Sequence, residues 1–310
     1  MIKFLKNILI FLILSLLVGE VIVRVTHSVS DIPHRKIDKF GIQKHIPFQT
    51  GFWLGGGHKW TINKLGWPGD LPRNFDNLIT IIGDSFVENL MNPDDCRQSV
   101  LLKEQLVKYN FMEAGRSGVS FIEAFEISKS IDTLNPKLSL IYVNTNDFFE
   151  SIKEIRERPS ITQWSIETNK IVSGKIKSPG LKKILYNWKL LYYLYTNFKT
   201  TPSKSKKNIN KQDATKLIDL KFEEEILALL KYTKNNHNMN NNILVFHPNT
   251  NQKLIDMCIK EGFRTMCLRS KNYKSWCFDY DKHWTCFGHR QAAQQVSVYL
   301  KNHEFDTLKK

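Results

Sequence analysis

The chain has 310 residues, 42% of them hydrophobic, and carries 45 Lys and Arg against 30 Asp and Glu, a formal net charge of +15. This length supports one substantial hydrophobic core but not two full-sized domains with a linker. The positive charge favours anionic surfaces such as phospholipid headgroups, acidic glycans or nucleic acid. No zinc-finger spacing, RNA-binding aromatic signature or DNA-binding motif accompanies it, so nucleic acid is the least favoured partner.

The amino terminus is a short basic segment followed by a hydrophobic run. Lys3 and Lys6 precede apolar residues that are interrupted by Glu20. The run has roughly the 20 residues that a transmembrane helix needs, and no small-x-small cleavage site follows it. Residues 1–25 are therefore predicted to be an uncleaved signal anchor, with the amino terminus in the cytoplasm and the rest of the chain outside. Glu20 and Arg24 are expected to pair at the interface. The alternative is a buried amino-terminal helix.

The next segment, residues 26–74, contains scattered Gly, Pro and aromatic residues. It has too many large apolar side chains for a linker, so it is predicted to be a membrane-proximal region that packs on the domain that follows. Residues 75–310 are predicted to form that domain, with a basic, aromatic insertion at about 150–215.

The domain begins with an apolar, β-branched run from Leu78 to Ile82, followed by Gly83, Asp84 and Ser85. Such a run is typical of a strand covered on both faces. Gly83 permits a tight exit into a helix, which leaves the Ser85 hydroxyl in a crevice at the carboxyl end of the strand. A serine held there can act as a nucleophile. The alternative is an ordinary turn in which Asp84 or Ser85 caps the next helix.

Predicted strands and helices alternate from this point onward. Alternation predicts an α/β fold, a three-layer sandwich with a mostly parallel central sheet of the flavodoxin-like kind. Polar residues that follow the strands should then meet along one edge. The later strands are expected near Phe111 and at Lys137–Val143, Asn242–His247 and Phe263–Leu268, and the helices at Arg97–Tyr109, Phe121–Asp132, Leu220–Thr233, Asn251–Lys260 and Gly288–Asn302.

A loop before the last helix offers partners for the serine. A nucleophilic serine needs a base within hydrogen-bond reach and an acid that fixes the tautomer of the base. Asp281 and His283 are two residues apart, so both project from the same side of an extended loop. Asp279 also has the right parity but starts roughly 13 Å from the histidine. The spacing favours Asp281, and the alternative is a surface loop whose histidine has no catalytic part.

Two further segments, which contain Gly118 and Asn146, each follow an apolar run. Ser85, Gly118, Asn146 and the pair Asp281 and His283 resemble the four sequence blocks of the SGNH/GDSL hydrolase family. The resemblance implies Ser85 as nucleophile, His283 as base and Asp281 as acid. It also implies an oxyanion hole made by the Ser85 and Gly118 backbone N–H groups and the Asn146 side chain. Such a serine esterase or acyltransferase uses no cofactor and no metal.

Three positions depart from the usual blocks. Glu113 stands where the second block usually has Asn, Asn144 where the third usually has Gly, and Tyr280 where many members place the acid. The Asp-x-His-Trp form resembles instead a membrane-anchored branch with alginate O-acetyltransferase-like members. The SGNH/GDSL resemblance covers about Gly66 to the carboxyl terminus. With the signal anchor, the branch implies an extracytoplasmic esterase or O-acyltransferase, in particular an O-acetyl enzyme of cell-envelope carbohydrate. The alternatives are a lipase or thioesterase, and a catalytically silent glycan-binding or scaffold protein.

The insertion is strongly basic in its second half. Lys170 to Lys211 contains eleven lysines and no Asp or Glu. Within it, Leu181 to Tyr195 is predicted to be an aromatic-rich basic helix. It can lie on a membrane surface, cover the crevice as a lid or bind an acidic glycan. The alternative is a helix packed on the domain, followed by a solvated lysine loop.

The five cysteines are too few for a disulfide scaffold. Two pairs, Cys258 with Cys267 and Cys277 with Cys286, can bridge if the domain is exported, while ordinary buried thiols are favoured.

The loop that contains His283 also raises the question of zinc. His283, Cys286 and His289 follow one another at three-residue steps but lack a Cys-x-x-Cys partner, so no metal is predicted. Trp284 can stack on a sugar ring, although packing is the favoured role.

Overall fold

The structure is a computed structural model that describes residues 1–198 and 222–305. The helices are α1 (Ile2–Val25), α2 (Ser85–Glu88), α3 (Gln98–Gln105), α4 (Phe121–Ile131), α5 (Thr145–Ser151), α6 (Pro179–Asn187), α7 (Lys189–Asn197), α8 (Glu223–Asn236), α9 (Gln252–Lys260) and α10 (Cys286–Leu300). The strands are β1 (Arg35–Ile37), β2 (Gln43–His45), β3 (Thr50–Phe52), β4 (Lys59–Thr61), β5 (Leu78–Gly83), β6 (Asn110–Gly115), β7 (Leu138–Val143), β8 (Gln163–Ser165), β9 (Lys170–Val172), β10 (Asn242–Phe246) and β11 (Thr265–Cys267).

The centre of the fold is a parallel five-stranded sheet in the order β11-β10-β7-β5-β6. The predicted α/β fold with a parallel central sheet is confirmed. The chain runs from β5 to the edge strand β6, then returns to place β7 on the other side of β5. Helices that leave β5 and β7 therefore diverge, and this switch point is where open α/β sheets form their binding crevice.

The alternation of side chains along β5 creates two cores. Leu78 and Ile82 lie on the face covered by α4, α8 and α9, whereas Ile79 and Ile81 lie on the face covered by α3 and α10. Every residue of β5 is buried, as a strand in the middle of a three-layer fold requires. Burial of each such side chain stabilises the fold by about 1.5–3 kcal/mol. These contacts hold the carboxyl end of β5 in a fixed position.

The segment between α1 and the sheet is ordered by two antiparallel strand pairs, β1 with β2 and β3 with β4. Ile42 and Trp67 from this segment are part of the main core, and Trp60 and Ile62 form a smaller cluster with Leu90. The region therefore contributes directly to the packing of the sheet domain.

The insertion differs from its predicted form. The basic helix predicted over residues 181–195 is two helices, α6 and α7, because the chain is extended at Trp188. An antiparallel pair, β8 and β9, precedes them and was not predicted. Lys199, Lys204, Lys206, Lys207 and Lys211, and the first two residues of the helix predicted at Leu220–Thr233, lie outside the described residues.

Helix α1 stands apart from the domain along most of its length. Of its 24 residues only Val23 is buried, and an 18-residue stretch has a mean hydropathy of 2.6, which makes the helix long and apolar enough to cross a membrane. At 1.5 Å per residue it extends about 36 Å, slightly more than a bilayer core. The Arg24 Nε donates to Glu20 Oε1 over 2.7 Å.

The carboxyl-terminal part of α1 is docked on α7. The Glu20 carboxylate accepts hydrogen bonds from the backbone N–H groups of Lys189 (3.1 Å) and Leu190 (2.7 Å), the first two residues of α7. Helix starts leave these N–H groups without intrahelical partners and attract negative charge. Beside this cap, a Cβ on Gly19 would lie 3.0 Å from a Leu190 methyl, so the Leu190 side chain packs directly on the backbone of α1. The acidic residue that interrupts the hydrophobic run thus joins α1 to the insertion.

Candidate active site

Ser85 is the first residue of α2, directly after the turn that leaves β5. The Asp84 carboxylate caps this helix by accepting from the Phe86 backbone N–H over 3.0 Å. Gly83 is required for space, because a Cβ there would lie 2.6 Å from a Val87 methyl. Its role is therefore close packing, and not the unusual backbone conformation that tight turns often demand. The turn leaves Ser85 half-buried at the carboxyl edge of the sheet.

The loop before α10 brings a histidine to this serine. His283 Nε2 lies 2.7 Å from Ser85 Oγ, and His283 Nδ1 contacts Asp281 Oδ1. The carboxylate accepts only, so Nδ1 carries the proton and Nε2 is free to accept from the serine hydroxyl. The three side chains thus form a chain of hydrogen bonds from carboxylate to imidazole to hydroxyl.

Asp281 is held in position by the backbone of the same loop. Its Oδ1 also accepts from the His283 backbone N–H over 2.9 Å. Partial burial on its own raises the pKa of the Asp281 carboxyl, but the hydrogen bonds from His283 outweigh it and the net pKa is lowered. Asp279 is exposed and makes no contact with His283 among the described residues. The structure therefore places Asp281 on the histidine, as the spacing predicts.

The loop is closed by its own backbone and tied to the segment after α2. The Phe278 N–H donates to the His283 carbonyl over 3.1 Å, and the Asp281 N–H donates to the Phe278 carbonyl over 3.3 Å. Asn92 donates from Nδ2 to the Trp284 carbonyl over 2.8 Å. A buried amide that joins two loops in this way fixes the distance between Ser85 and His283.

A disulfide strengthens the same connection. Cys96 and Cys286 are bonded with a Cα–Cα distance of 5.1 Å, which links the segment after α2 to the first residue of α10. The pairing considered from sequence, Cys277 with Cys286, is wrong, because Cys286 bonds to a cysteine 190 residues away. Cys258, Cys267 and Cys277 are free thiols, so the other considered pair is also unbonded. Only the fold brings Cys96 to Cys286.

The residues proposed for the oxyanion hole lie in the loops after β6 and β7. Gly118 has a φ of +81°, a conformation that favours glycine, in the loop after β6. The Arg116 N–H of that loop donates to the Gly83 carbonyl, so the loop leaves the sheet beside the Ser85 turn. Asn146 is in the first turn of α5 and exposed, and its side-chain amide has no hydrogen-bond partner among the described residues.

Asn144 organises the loop after β7, where the family resemblance usually has glycine. It caps α5 by accepting from the Asn146 N–H over 2.9 Å, and Asp147 completes the capping box from the other side. The Asn144 Nδ2 also lies 3.5 Å from Asp84 Oδ2. This departure from the pattern therefore joins the third block to the serine turn.

Glu113, the departure in the second block, is a structural residue. Its carboxylate accepts from the Arg97 guanidinium over 3.1 Å and from the Ser99 N–H over 3.0 Å, and both side chains are almost fully buried. Burial raises the pKa of the Glu113 carboxyl although Arg97 opposes the shift. The pair attaches the start of α3 to β6. Tyr280, where many members have the acid, is 75% exposed.

The alternative roles considered for this loop are excluded by other contacts. Cys286 is in the disulfide, and His289 is buried with its Nδ1 3.2 Å from the Gln98 amide, so neither is free to bind zinc. Burial lowers the pKa of His289 to about 3. Trp284 is 1% exposed and packs against Phe86 and Trp276, so it cannot stack on a sugar.

A buried charge cluster behind α2 was missed from sequence. The Glu88 carboxylate lies 3.0 Å from His45 Nε2 and 3.6 Å from the Arg35 guanidinium. Burial alone raises the pKa of Glu88, but these donors and the Ser117 N–H lower it to about 2, so the group is a carboxylate. Burial, together with Arg35 and Arg116, lowers the pKa of His45. His45 Nε2 lies close to the Glu88 carboxylate but does not meet hydrogen-bond geometry with it. No local motif predicts this cluster, because its members come from β1, β2 and α2.

Comparison with known proteins gives similarity in fold only. No family model and no curated protein matches the chain. Among solved structures, the chain is similar to G-D-S-L family lipolytic proteins from Desulfitobacterium hafniense and Veillonella parvula (11% and 10% identity, TM-scores 0.37 and 0.36) and to a GDSL-like lipase from Bacteroides ovatus (12%, 0.37). The matches cover 72–73% of this chain and 98% of each of the others. Likeness at this level says nothing about the reaction, so function is inferred from the chain's own residues.

The Asp84 cap generates a prediction about stability and pH. Burial raises the pKa of Asp84 from 3.8 to about 6, although the Phe86 N–H opposes the shift. Between these values the folded chain holds a proton that the unfolded chain has lost, so this group's stabilisation is complete below about pH 4 and is lost as pH rises to about 6. Asp84→Asn keeps the cap and removes the titration. The free energy of unfolding of each protein is measured by urea unfolding at several pH values. Relative to the wild type, Asp84→Asn should become more stable as pH rises from about 4 to about 6, and the difference should then level off. A difference that is constant with pH would contradict the account.

Proposed function

We propose that the chain is a membrane-anchored, extracytoplasmic serine ester hydrolase or O-acyltransferase of the SGNH/GDSL type, which acts on ester groups of cell-envelope carbohydrate. The observation that supports this most directly is the Ser85 Oγ to His283 Nε2 distance of 2.7 Å, with Asp281 on the other ring nitrogen. A serine whose hydroxyl is paired with an oriented imidazole at the switch point of a parallel sheet is arranged for acyl transfer.

In the proposed reaction Ser85 Oγ attacks the ester carbonyl while His283 Nε2 takes the hydroxyl proton. Asp281 keeps the ring in the required tautomer and stabilises the imidazolium that forms. His283 then returns the proton to the departing alcohol, which leaves an acyl group on Ser85. Water or a sugar hydroxyl, deprotonated by the same His283 Nε2, attacks the acyl-serine and restores the enzyme.

The proposed oxyanion donors are the Ser85 and Gly118 backbone N–H groups and the Asn146 side chain. These donors are supported by their positions. Gly118 is in the loop beside the serine turn. Asn146 is in the first turn of α5, after β7, and its side-chain amide has no hydrogen-bond partner among the described residues. Each donor contributes about 10²- to 10³-fold in rate when aimed at the developing negative charge.

Membrane attachment is supported by α1 and by the helices docked on it. The carboxyl-terminal end of α1 caps α7 through Glu20, and α6 and α7 expose large apolar side chains beside that junction. Basic helices with an exposed apolar side are typical of the membrane interface. We infer that α6 and α7 lie at the outer surface of the bilayer, where the exposed Lys183 faces anionic headgroups. The exposed side chains are Leu181, Ile184, Trp188, Leu191, Leu194, Tyr195 and Phe198.

Substitution of the paired residues tests the mechanism. On a small acetyl ester, Ser85→Ala and His283→Ala should abolish turnover, and Asp281→Asn should lower kcat by about 10²- to 10⁴-fold because the imidazole loses its orientation. Asp279→Asn is the matched control and should keep near wild-type rates, since that carboxylate is exposed. Thermal unfolding of each variant separates lost chemistry from lost fold. A severe defect in Asp279→Asn together with normal rates in Asp281→Asn would show that Asp279, and not Asp281, is the acid.

Acyl-chain preference separates carbohydrate O-acetyl chemistry from the lipase or thioesterase alternative. We expect kcat/KM on nitrophenyl acetate to exceed that on the octanoyl ester, because an enzyme that acts on O-acetyl groups needs room for only a two-carbon acyl group beside Ser85. The measurement is kcat/KM along a series of nitrophenyl esters at one detergent concentration. A preference that grows with chain length would favour the lipase alternative.

The orientation of the anchor is tested by reporter fusions. Lys3 and Lys6 should stay in the cytoplasm, with everything after Val25 outside. Alkaline phosphatase fused to the carboxyl terminus should be active, and a matched fusion of a reporter that works only in the cytoplasm should be inactive. The reverse result would place the domain in the cytoplasm.

A further inference from the structure

A cavity of about 300 Å³ lies between the insertion and the membrane-proximal strands. Its walls come from β1, the loop after β6, the chain before β8, and the segment that enters α6. The catalytic proposal assigns a role only to Gly118 among its lining residues. The cavity is therefore a concave site next to the proposed centre whose other walls have no assigned function.

The lining of the cavity is strongly basic. Six of its residues are Lys or Arg and none is Asp or Glu: Arg35, Arg116, Arg158, Lys175, Lys177 and Lys182. The three arginines have carboxylate partners, namely Glu88, Glu123 and Glu150. The three lysines have no carboxylate within 4.0 Å in the described parts of the chain. The walls therefore carry an excess of positive charge that no carboxylate of residues 1–198 and 222–305 compensates.

These charges affect one another across the cavity. Burial, and then the positive charges of Arg35 and Lys177, lower the pKa of Lys182. Like charges held together in this way cost free energy unless an anion joins them. The arrangement is thus unfavourable in the empty protein and favourable once a negatively charged group enters.

The cavity is connected to Ser85 through α2. Glu88, one helical turn after Ser85, contacts Arg35 directly, and Arg35 donates to the Ser117 carbonyl over 3.2 Å. Gly118, a proposed oxyanion donor, is itself part of the wall. A substrate whose carbonyl oxygen is held by the proposed Gly118 donor therefore lies against this wall of the basic cavity.

We propose that this cavity is an anion subsite, which binds a carboxylate or phosphate on the carbohydrate whose ester is attacked at Ser85. The inference rests on the proposed function and narrows its substrate class to acidic glycans. Carbohydrate is favoured over a bare ion because polar side chains and the half-buried Tyr186 ring line the same walls as the lysines. An amphipathic ring offers a sugar both an apolar face and a hydroxyl.

Binding can be tested without turnover. The full-length Ser85→Ala chain in detergent should bind glucuronate and should bind glucose much more weakly. Saturation-transfer NMR measures both. Lys177→Gln/Lys182→Gln in the same background should weaken glucuronate binding by about tenfold, the size expected when charge-assisted hydrogen bonds are removed. Lys129→Gln/Lys137→Gln, exposed lysines away from the cavity, is the matched control. Inorganic phosphate as a second probe tells which anion is preferred, and lysine-dependent binding of either one supports the proposal.

Turnover provides the second readout. On O-acetylated glucuronate and its methyl ester, which differ in one charge, the wild type should prefer the acid, and that preference should weaken with salt. Lys177→Gln/Lys182→Gln should lower the ratio of kcat/KM values about tenfold, mainly through KM, and the control pair should leave it unchanged.

Three results would overturn the subsite: equal binding of glucuronate and glucose together with no lysine-dependent binding of phosphate, an unchanged ratio of kcat/KM values in the lysine variant, or lysine-dependent binding to phosphatidylglycerol vesicles with neither soluble anion bound. The last would assign the lysines to the membrane surface. If the wild-type chain binds glucuronate but shows no hydrolysis that depends on Ser85, the proposed reaction is refuted and the anion subsite is retained.

Discussion

The hydrogen bond between Ser85 Oγ and His283 Nε2 joins positions 198 residues apart, and the arrangement of the site depends on it. Neither residue is placed by its own neighbours alone. The serine is fixed by β5, which is buried on both faces, and the histidine by a loop that a disulfide, a buried amide and its own backbone hold against the serine segment. A shift of about 1 Å in either is enough to weaken acyl transfer severely. The redundancy of these restraints is therefore what the proposed chemistry requires.

Buried charges form a second constraint around the same helix. Glu88 with His45 and Arg35, and Glu113 with Arg97, lie in the protein interior on either side of the serine segment. A buried ion pair adds little net stability, but removal of one partner costs about 3–5 kcal/mol because the other charge stays behind. The contacts of Glu88 consequently fix β1 and β2 relative to α2, and the Glu113–Arg97 pair fixes the start of α3 on β6. Through them residues 26–74 pack beside the serine segment, and with α6 they bring basic residues from distant parts of the chain to one cavity.

The parts of the fold that sequence predicts are those governed by local pattern. The apolar run Leu78–Ile82 and the alternation after it predict the parallel sheet because burial on two faces demands such residues. The two-residue spacing of Asp281 and His283 predicts that these side chains meet, since short reach along an extended loop is a local property. The spacing of residues within a motif says nothing, however, about residues that meet only through tertiary packing. Cys96 and Cys286, and Glu88 and Arg35, meet in that way, and the break at Trp188 depends on the cap that α1 gives to α7. Such pairings are set by the folded topology and leave no periodic trace in the chain.

The central claim is that Ser85 is activated by His283, and the most direct measurement is covalent labelling by a fluorophosphonate, followed by peptide mass spectrometry. The account predicts one adduct, on Ser85, which forms rapidly in the native chain and is lost when His283 is replaced by alanine while the fold is retained. A folded wild-type chain that does not react, or one labelled equally well without His283, would contradict it.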